Sequence, residues 1–424
     1  MKIEQLHRYF LESTGVCTDT RKLKKGQLYF ALKGENFNGN LFAKAALEQG
    51  ASYAIVDETQ NDIDNTILVN DVLQILQELA AYHRIFLNIP IIGLTGSNGK
   101  TTTKELIYAV VSQKYNTTAT LGNLNNHIGV PLTLLSMTKE TEIGIVEMGA
   151  NHQGEIAALC KIAKPNYGYI TNFGKAHLEG FGGIEGVIRG KSELYQYLKS
   201  TNSLAFINKE DTIQVKQSSG LQIKSFAPTD ADYCITFKEA SPFVSMTYND
   251  LIIHSQLTGA YNALNIAAAI AIGTYFNVND QKIKNGIENY TSANNRSQII
   301  QKDTVTIILD AYNANPTSME AALNNLSKQA SKNKIAFLGD MFEVGETTKT
   351  EHQAILKLAN ALNVNTVFAV GPTFGVSKPE NTTQEVFETY TAFAKAYIQQ
   401  IPPDTTILIK GSRGMAMERV LDLI

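Results

Sequence analysis

At 424 residues the chain is long enough for two to four domains, with sizeable cores that need no disulfide staples. Its 44% hydrophobic and 18% charged residues are the balance of a globular chain and exclude a disordered one. With 37 basic against 40 acidic residues the net charge is −3, so there is no basic excess for wrapping a nucleic acid, and none is expected as a partner.

Residues 1–85 read as short strands and turns, with apolar runs at 28–32 and 53–56 between Gly and Asn clusters. Met1 to Phe10 alternates charged and apolar residues and has no signal-peptide core. In 71–85, Val72, Ile75, Leu76, Leu79 and Ala80 recur at helical spacing and predict a helix that bridges to the next unit. From Pro90 onward, apolar strands at 90–94, 143–148, 167–171 and 204–207 alternate with helical segments, the first at 101–115. Several β runs follow within 221–257, then a buried Ala- and Ile-rich helix at 260–276. A third texture begins near 299, with strands at 305–309, 335–338, 364–370 and 405–409 and helices at 317–329, 352–362 and 387–399. Such βα alternation predicts largely parallel sheets covered by helices. The expected fold is α/β in three domains, at 1–85, 86–298 and 299–424.

No apolar run reaches the ~18 residues of a membrane span; residues 266–272 come nearest and are too short. Cys17, Cys160 and Cys234 lie far apart without CxxC spacing, which argues against a disulfide framework or a zinc knuckle. A cytoplasmic protein is expected.

The strongest local signal is Gly93-Leu-Thr95-Gly96-Ser97-Asn98-Gly99-Lys100-Thr101-Thr102-Thr103, between a predicted strand and helix. Glycines let backbone N–H groups converge on phosphate oxygens, and the helix N-terminus adds positive potential. Lys100 would then sit over the β- and γ-phosphates of ATP, with the Thr101 hydroxyl on Mg²⁺. The strict Gly-x₄-Gly-Lys-Ser/Thr frame requires Gly at position 94, where this chain has Leu; its nearest glycines are Gly93 and Gly96. Glu147 closes the apolar run 143–148, and a carboxylate at the C-terminal end of a strand in an open α/β sheet points into the ligand crevice. It is a natural Mg²⁺ ligand, although alone it could equally be an exposed strand-end residue. His177, in the loop-rich stretch 171–179, is a metal or phosphate candidate by proximity and otherwise a packed or surface histidine.

Taken in order, Gly96 to Thr103, Glu147-Met-Gly-Ala-Asn, Thr171 to Glu179 and Lys191-Ser-Glu-Leu-Tyr resemble the motifs of the Mur ligases, cytoplasmic ATP-dependent amide ligases of peptidoglycan synthesis. Further matches are Thr18-Asp19-Thr20-Arg21, Ala31-Leu-Lys33-Gly34-Glu-Asn-Phe-Asn-Gly39, Gly122-Asn123-Leu-Asn125-Asn126, Asn262-Ala-Leu-Asn265 and Asn295-Arg296. The third-domain set is Asp310-Ala-Tyr-Asn313-Ala-Asn315-Pro316-Thr-Ser318-Met319, Leu338-Gly-Asp340-Met341-Phe-Glu343 and Lys410-Gly-Ser412-Arg413-Gly-Met-Ala-Met-Glu418. That set looks like the MurF branch, and the Asp-Asn-Pro-Arg tetrapeptide of the diaminopimelate-adding branch is absent.

The resemblance implies a small α/β UDP-substrate domain, a central P-loop ATPase with a mostly parallel sheet and a C-terminal Rossmann-like domain. It implies joining of D-alanyl-D-alanine to UDP-N-acetylmuramoyl-tripeptide through an acyl phosphate, using ATP and two Mg²⁺ ions; a monomer is expected. Thr101, Glu147, His177 and a carbamylated Lys191 would hold the metal, with Lys100, Glu147, His177 and Lys191 as the catalytic set. Without the resemblance, Lys191 reads as a solvated lysine on a helix over 185–199. Thr95, Gly96, Ser97, Asn98, Gly99, Lys100, Thr101 and Thr102 would bind ATP together with Asn262, Asn265, Arg296 and Asp310. Arg296 has an alternative reading as a hinge salt bridge. Thr18, Asp19, Thr20, Arg21, Lys33 and Gly34 match the uridine-nucleotide site, or form an ordinary turn. Asn125 and Asn126 match contacts to the muramoyl portion. Asn313, Asn315, Ser318, Asp340 and Arg413 are candidates for the dipeptide and tripeptide ends. Rival expectations are a diaminopimelate- or lysine-adding ligase, a folylpolyglutamate synthase-like enzyme, or a non-catalytic nucleotide-binding regulator.

Overall fold

The computed structural model describes residues 1–59, 63–293, 295–397 and 400–424. Its first element departs from the sequence reading: Ile3–Glu12 is a helix, because Leu6, His7 and Phe10 recur at helical spacing and are buried, while the intervening charges face water. Four parallel strands follow, in the spatial order Val16–Cys17, Leu28–Phe30, Tyr53–Val56 and Thr66–Leu68. The helix Val72–Leu87 starts where the Asp71 side chain accepts from Gln74 N, and it ends at Asn88 in the left-handed region. Near its end Arg84 turns inward and donates to the carbonyls of Ala163 and Lys164 and to Asn166 Oδ1, at 3.2, 3.1 and 2.7 Å. The first domain is thereby tied to the second.

The central sheet has seven parallel strands. Ile91–Thr95 lies in its middle, with Tyr167–Ile170 on one side and Ile143–Glu147 on the other. All five residues of Ile91–Thr95 are buried, since helices cover both faces, and a continuous apolar run is what such a strand requires. Register then fixes the site: Leu94 pairs with Glu147, and Thr95 with Ile170, so three strand ends open beside one another. The helix Asn262–Tyr275, almost wholly buried, shares a core with Lys100–Val111, and Gly273 allows the approach because a Cβ there would lie 2.4 Å from Val110 Cγ1. Of the β runs within 221–257, Gln222–Ala227 and Tyr233–Cys234 extend the central sheet, and Thr236–Glu239, Ser245–Tyr248 and Leu251–His254 form a three-stranded antiparallel sheet.

The third sheet is mixed. Gln298–Lys302 runs antiparallel to Val305–Asp310, and Thr405–Lys410, Asn333–Gly339, Thr366–Val370 and Gln384–Phe387 continue it in parallel. Its helices include Pro316–Ser327 and Thr348–Ala361. The helix expected at 387–399 is shorter: Phe387 ends the edge strand, Thr389 caps a new start, and the helix covers Tyr390–Ala396. Residues 398 and 399 lie outside the described ones.

Candidate active site

The turn after Ile91–Thr95 is built by two glycines in conformations that side chains rarely adopt. Gly99, at φ +77°, is the N-cap of Lys100–Val111, and a Cβ on it would lie 2.7 Å from Asn265 Oδ1. Gly96 sits at φ +142°, where a Cβ would fall 2.0 Å from Thr171 Oγ1. The neighbouring strand end locks the loop. Ser97 N donates to Asn172 O (3.0 Å) and Asn98 N to Asn172 Oδ1 (3.2 Å), while Asn98 O accepts from Thr171 Oγ1 (2.6 Å) and Asn172 Nδ2 (3.0 Å). Gly96→Ala is therefore expected to displace the loop, at a backbone cost of about 1–3 kcal/mol. Its thermal midpoint should fall and its ATP affinity should drop at least about tenfold, one step of ~1.4 kcal/mol; calorimetry reads both.

Lys100 donates to Gly96 O (2.7 Å) and Ser97 O (3.3 Å), and among the described residues it has no ion-pair partner. Burial, with Arg296 adding to it and Glu147 opposing it, pushes its ammonium below the usual lysine range. This is a cation held ready for an anion that the protein itself does not supply.

Glu147 is buried, not an exposed strand end. Its Oε1 accepts from Asn125 Nδ2 (2.8 Å) and Thr101 Oγ1 (3.2 Å), and its Oε2 has no partner among the described residues. A buried carboxylate oxygen without a donor is costly unless a cation completes it. Beside the Thr101 hydroxyl this is oxygen chemistry that suits Mg²⁺, so the residues fit that ion. Among the described residues no three His, Cys, Asp or Glu side chains converge into a metal cage.

A cavity of about 850 Å³ opens over these groups and has walls from all three parts of the chain. Ser97 to Thr102, Asn125, Asn126, Glu147, His177, Asn262, Asn265, Arg296, Asp310, Asn313, Asn315 and Ser318 line it. Thr95 and Gly96 do not line it. Lys191 does not line the cavity, and it is not solvated: it is fully buried, donates to Ala150 O at 3.0 Å and lies 4.8 Å from the Phe181 ring centroid. Burial first, then Lys100, pushes its amine well below the lysine range, against the pull of Glu155 and Glu193. His177 is likewise lowered, chiefly by burial, although Glu343 pulls it upward.

Asn262 and Asn265 form a relay behind the loop: Asn262 Nδ2 donates to Thr258 O and Asn265 Nδ2 to Asn262 Oδ1, both at 2.8 Å. Among the described residues Arg296 has no ion-pair partner; its guanidinium stacks 3.6 Å from the Tyr312 centroid. Asp310 accepts from Ser297 N (3.0 Å) and pairs with Lys410 at 2.5 Å.

The remaining candidates have local work of their own. Asn126 Oδ1 accepts from Ile128 N and Gly129 N, just ahead of and at the start of the helix Gly129–Leu135. Asn315 and Ser318 form the capping box of Pro316–Ser327, while Asn315 Nδ2 also donates to Asn98 Oδ1 at 2.7 Å across the domain junction. Asp340 lies off the cavity, buried, accepting from Thr373 N and Phe374 N. Arg413 faces outward and pairs with Glu418. Thr18, Asp19, Thr20, Arg21, Lys33 and Gly34 also lie outside this cavity. There Arg21 grips Asp19 through two nitrogens and holds its carboxyl down at about 2, and Lys33 pairs with Asp57 at 3.0 Å. Sequence reasoning assigned no role to Lys410, Tyr312 or Lys104. Lys104 is buried and donates to Thr120 O at 2.6 Å; its only signal was a lysine one turn beyond Lys100 on an otherwise inward-facing stripe.

The chain matches three family models: the Mur ligase family catalytic domain over residues 12–84, the Mur ligase middle domain over 94–273 and the Mur ligase glutamate ligase domain over 295–413. It is 36% identical to the UDP-N-acetylmuramoyl-tripeptide–D-alanyl-D-alanine ligase of Bacillus subtilis, covering 97% of this chain and 93% of that protein. A crystal structure of MurF from Acinetobacter baumannii superposes with a TM-score of 0.90 at 31% identity, over 99% of this chain and 98% of that one. MurF from Thermotoga maritima, in complex with ADP, does so with a TM-score of 0.84 at 27% identity, over 98% and 97%. With the three-domain fold, the closed phosphate loop and these likenesses over nearly the whole length, this chain belongs to the Mur ligase family, MurF type.

Proposed function

We propose that this chain joins D-alanyl-D-alanine to UDP-N-acetylmuramoyl-tripeptide with ATP converted to ADP and phosphate, and that it does so in the cytoplasm as a monomer with domain breaks near residues 86 and 298. The observation that carries the reading is the cavity itself: Lys100 and Thr101 face the buried Glu147 in one chamber that the third domain helps to close. The tripeptide carboxylate attacks the γ-phosphorus and ADP leaves; the dipeptide amine then attacks the acyl phosphate carbonyl and phosphate leaves. Charge accumulates on phosphoryl oxygens in the first step and on the carbonyl oxygen in the second, so fixed cations and N–H groups act where it develops. Lys100 and the N–H groups of the loop hold the γ-phosphate. Asn262, Asn265, Arg296 and Asp310, which line the same cavity, would border the nucleotide.

Mg²⁺ would be held by Thr101 and Glu147, and a second ion by His177 and a carbamylated Lys191; when bound, the metal neutralises phosphoryl charge. Thr18 to Arg21 with Lys33 and Gly34 take the uridine end, and Asn125 and Asn126 the muramoyl portion. Asn313, Asn315 and Ser318, which line the cavity, meet the peptide ends; Asp340 and Arg413 belong to that region by motif. No described helix is long and apolar enough to cross a membrane.

Partner choice tests the branch. Incubated with ATP, Mg²⁺ and UDP-muramoyl-tripeptides, the protein should yield a product heavier by D-Ala-D-Ala, read by mass, and little with single amino acids. Efficient extension of UDP-muramoyl-dipeptide by diaminopimelate or lysine would place it in the neighbouring branch, and extension of a folate would place it among the folylpolyglutamate synthases. ATP binding with no product at all would leave a nucleotide-binding regulator.

A further inference from the structure

His177 and Glu343 meet across the junction of the second and third domains, and both stand in the left-handed region that non-glycine residues seldom occupy, at φ +52° and +60°. Such backbone persists only where surrounding contacts impose it, and it concentrates at functional sites. The contacts are present. The Glu343 carboxylate is hydrogen-bonded to His177 Nδ1, and Glu343 O accepts from Glu179 N at 3.4 Å. Leu178 packs against the apolar core of the third domain. One loop away, Lys175 N donates to Thr317 Oγ1 (3.0 Å) and Lys175 Nζ pairs with Glu351 (2.6 Å). Glu343 itself projects from a pinned segment, since Met341 N donates to His352 Nε2 and Phe342 N to Ser412 Oγ, both at 2.9 Å.

A carboxylate only accepts hydrogen bonds, so the proton of a neutral His177 must sit on Nδ1, leaving the Nε2 lone pair free. His177 lines the phosphate-loop cavity. In water an imidazole favours the opposite tautomer, with the proton on Nε2. We propose that Glu343 is a positioning residue: carried by the third domain, it fixes His177 as the Nδ1–H tautomer, so that contact between the domains is what presents the Nε2 lone pair to the cavity. The inference rests on the ligase reading for its consequence, but not for its test. A lone pair on Nε2 is what a cation or an incoming proton at the reacting end requires, and an outer carboxylate that orients such a histidine typically changes metal affinity or activity 10–100-fold, on the order seen in carboxylate–histidine pairs. With the domains apart the same ring would offer an N–H donor to the cavity, so the chamber would be chemically incomplete until closed.

The test is a two-bond ¹H–¹⁵N correlation spectrum of the full chain labelled at its seven histidines, recorded at about pH 8, where a histidine of ordinary pKa is neutral. His177→Asn identifies the signal. In the wild type, Nδ1 should appear as the protonated ring nitrogen of His177 and Nε2 as the bare one. In Glu343→Ala the pattern should move toward Nε2–H. Glu343→Gly, which suits the left-handed backbone and should therefore fold, must do the same. Both variants should also lower kcat about 10- to 100-fold with KM for the uridine nucleotide little changed. A wild-type His177 protonated on Nε2, or a pattern unchanged in both variants, overturns the proposal. The spectrum needs no turnover, so a failed ligase assay and a failed tautomer assignment remain distinct results.

Discussion

Lys100→Ala is expected to keep the fold and to lose about 100-fold or more in turnover, the scale of deleting a charged contact to a transition state. The side chain buries no apolar surface that the core depends on; its ammonium only satisfies the carbonyls of Gly96 and Ser97. Its value lies elsewhere. A half-buried ammonium with no ion-pair partner among the described residues is unfavourable by itself and becomes favourable when phosphate oxygens arrive. Removing it should therefore leave the thermal midpoint unchanged or raise it, while the rate of ATP-dependent phosphate release collapses. Circular dichroism and a phosphate assay on the same sample decide, and a variant with normal kinetics would remove the loop from the chemistry.

Lys191 should matter nearly as much, by a different route. A protonated amine repels Mg²⁺ and offers it no lone pair. Its neutral amine can attack CO₂, forming an N–C bond and releasing one proton, and the resulting carbamate carries oxygen ligands. Full burial and the nearby Lys100 favour that neutral form. The sign follows: carbamate formation, and activity with it, should rise as pH rises through the depressed pKa of Lys191 and fall below it. Lys191→Ala should lose about 10- to 100-fold in activity, as for loss of a metal-site group. A short carboxylic acid added to the medium should restore part of it by filling the space of the carbamate. A Lys191→Ala variant of full activity, or one that no carboxylate rescues at any concentration, contradicts the assignment.

The parts of the site that were legible in the sequence are those whose chemistry is local. The phosphate loop shows itself because strand, glycines and lysine are contiguous, and Glu147 because an apolar strand ends on an acid. Their juxtaposition follows from sheet register, in which Leu94 pairs with Glu147, and no single segment states it. Asp340 shows the limit. Its motif makes it a candidate for the substrate ends, but the motif says nothing of the amides of Thr373 and Phe374 that its two oxygens accept from, more than thirty positions away in sequence. Asn315 and Ser318 are legible in a way that the motif reading passed over, since Asn-Pro-x-Ser is a helix start whatever else it binds. The helix Ile3–Glu12 was hidden by charges interleaved with its apolar face, which imitate strand alternation over a short window. The pairing of His177 with Glu343 is long-range and crosses domains, so neither residue announces the other.

The central claim is that an acyl phosphate links ATP cleavage to amide formation, and isotope transfer tests it most directly. UDP-muramoyl-tripeptide labelled with oxygen-18 in its terminal carboxylate is incubated with the protein, ATP, Mg²⁺ and D-Ala-D-Ala. The account predicts ADP, amide product and inorganic phosphate carrying one labelled oxygen from the carboxylate, because the oxygen that attacked phosphorus leaves with it. Unlabelled phosphate accompanying amide product, or AMP and pyrophosphate in place of ADP, would contradict it.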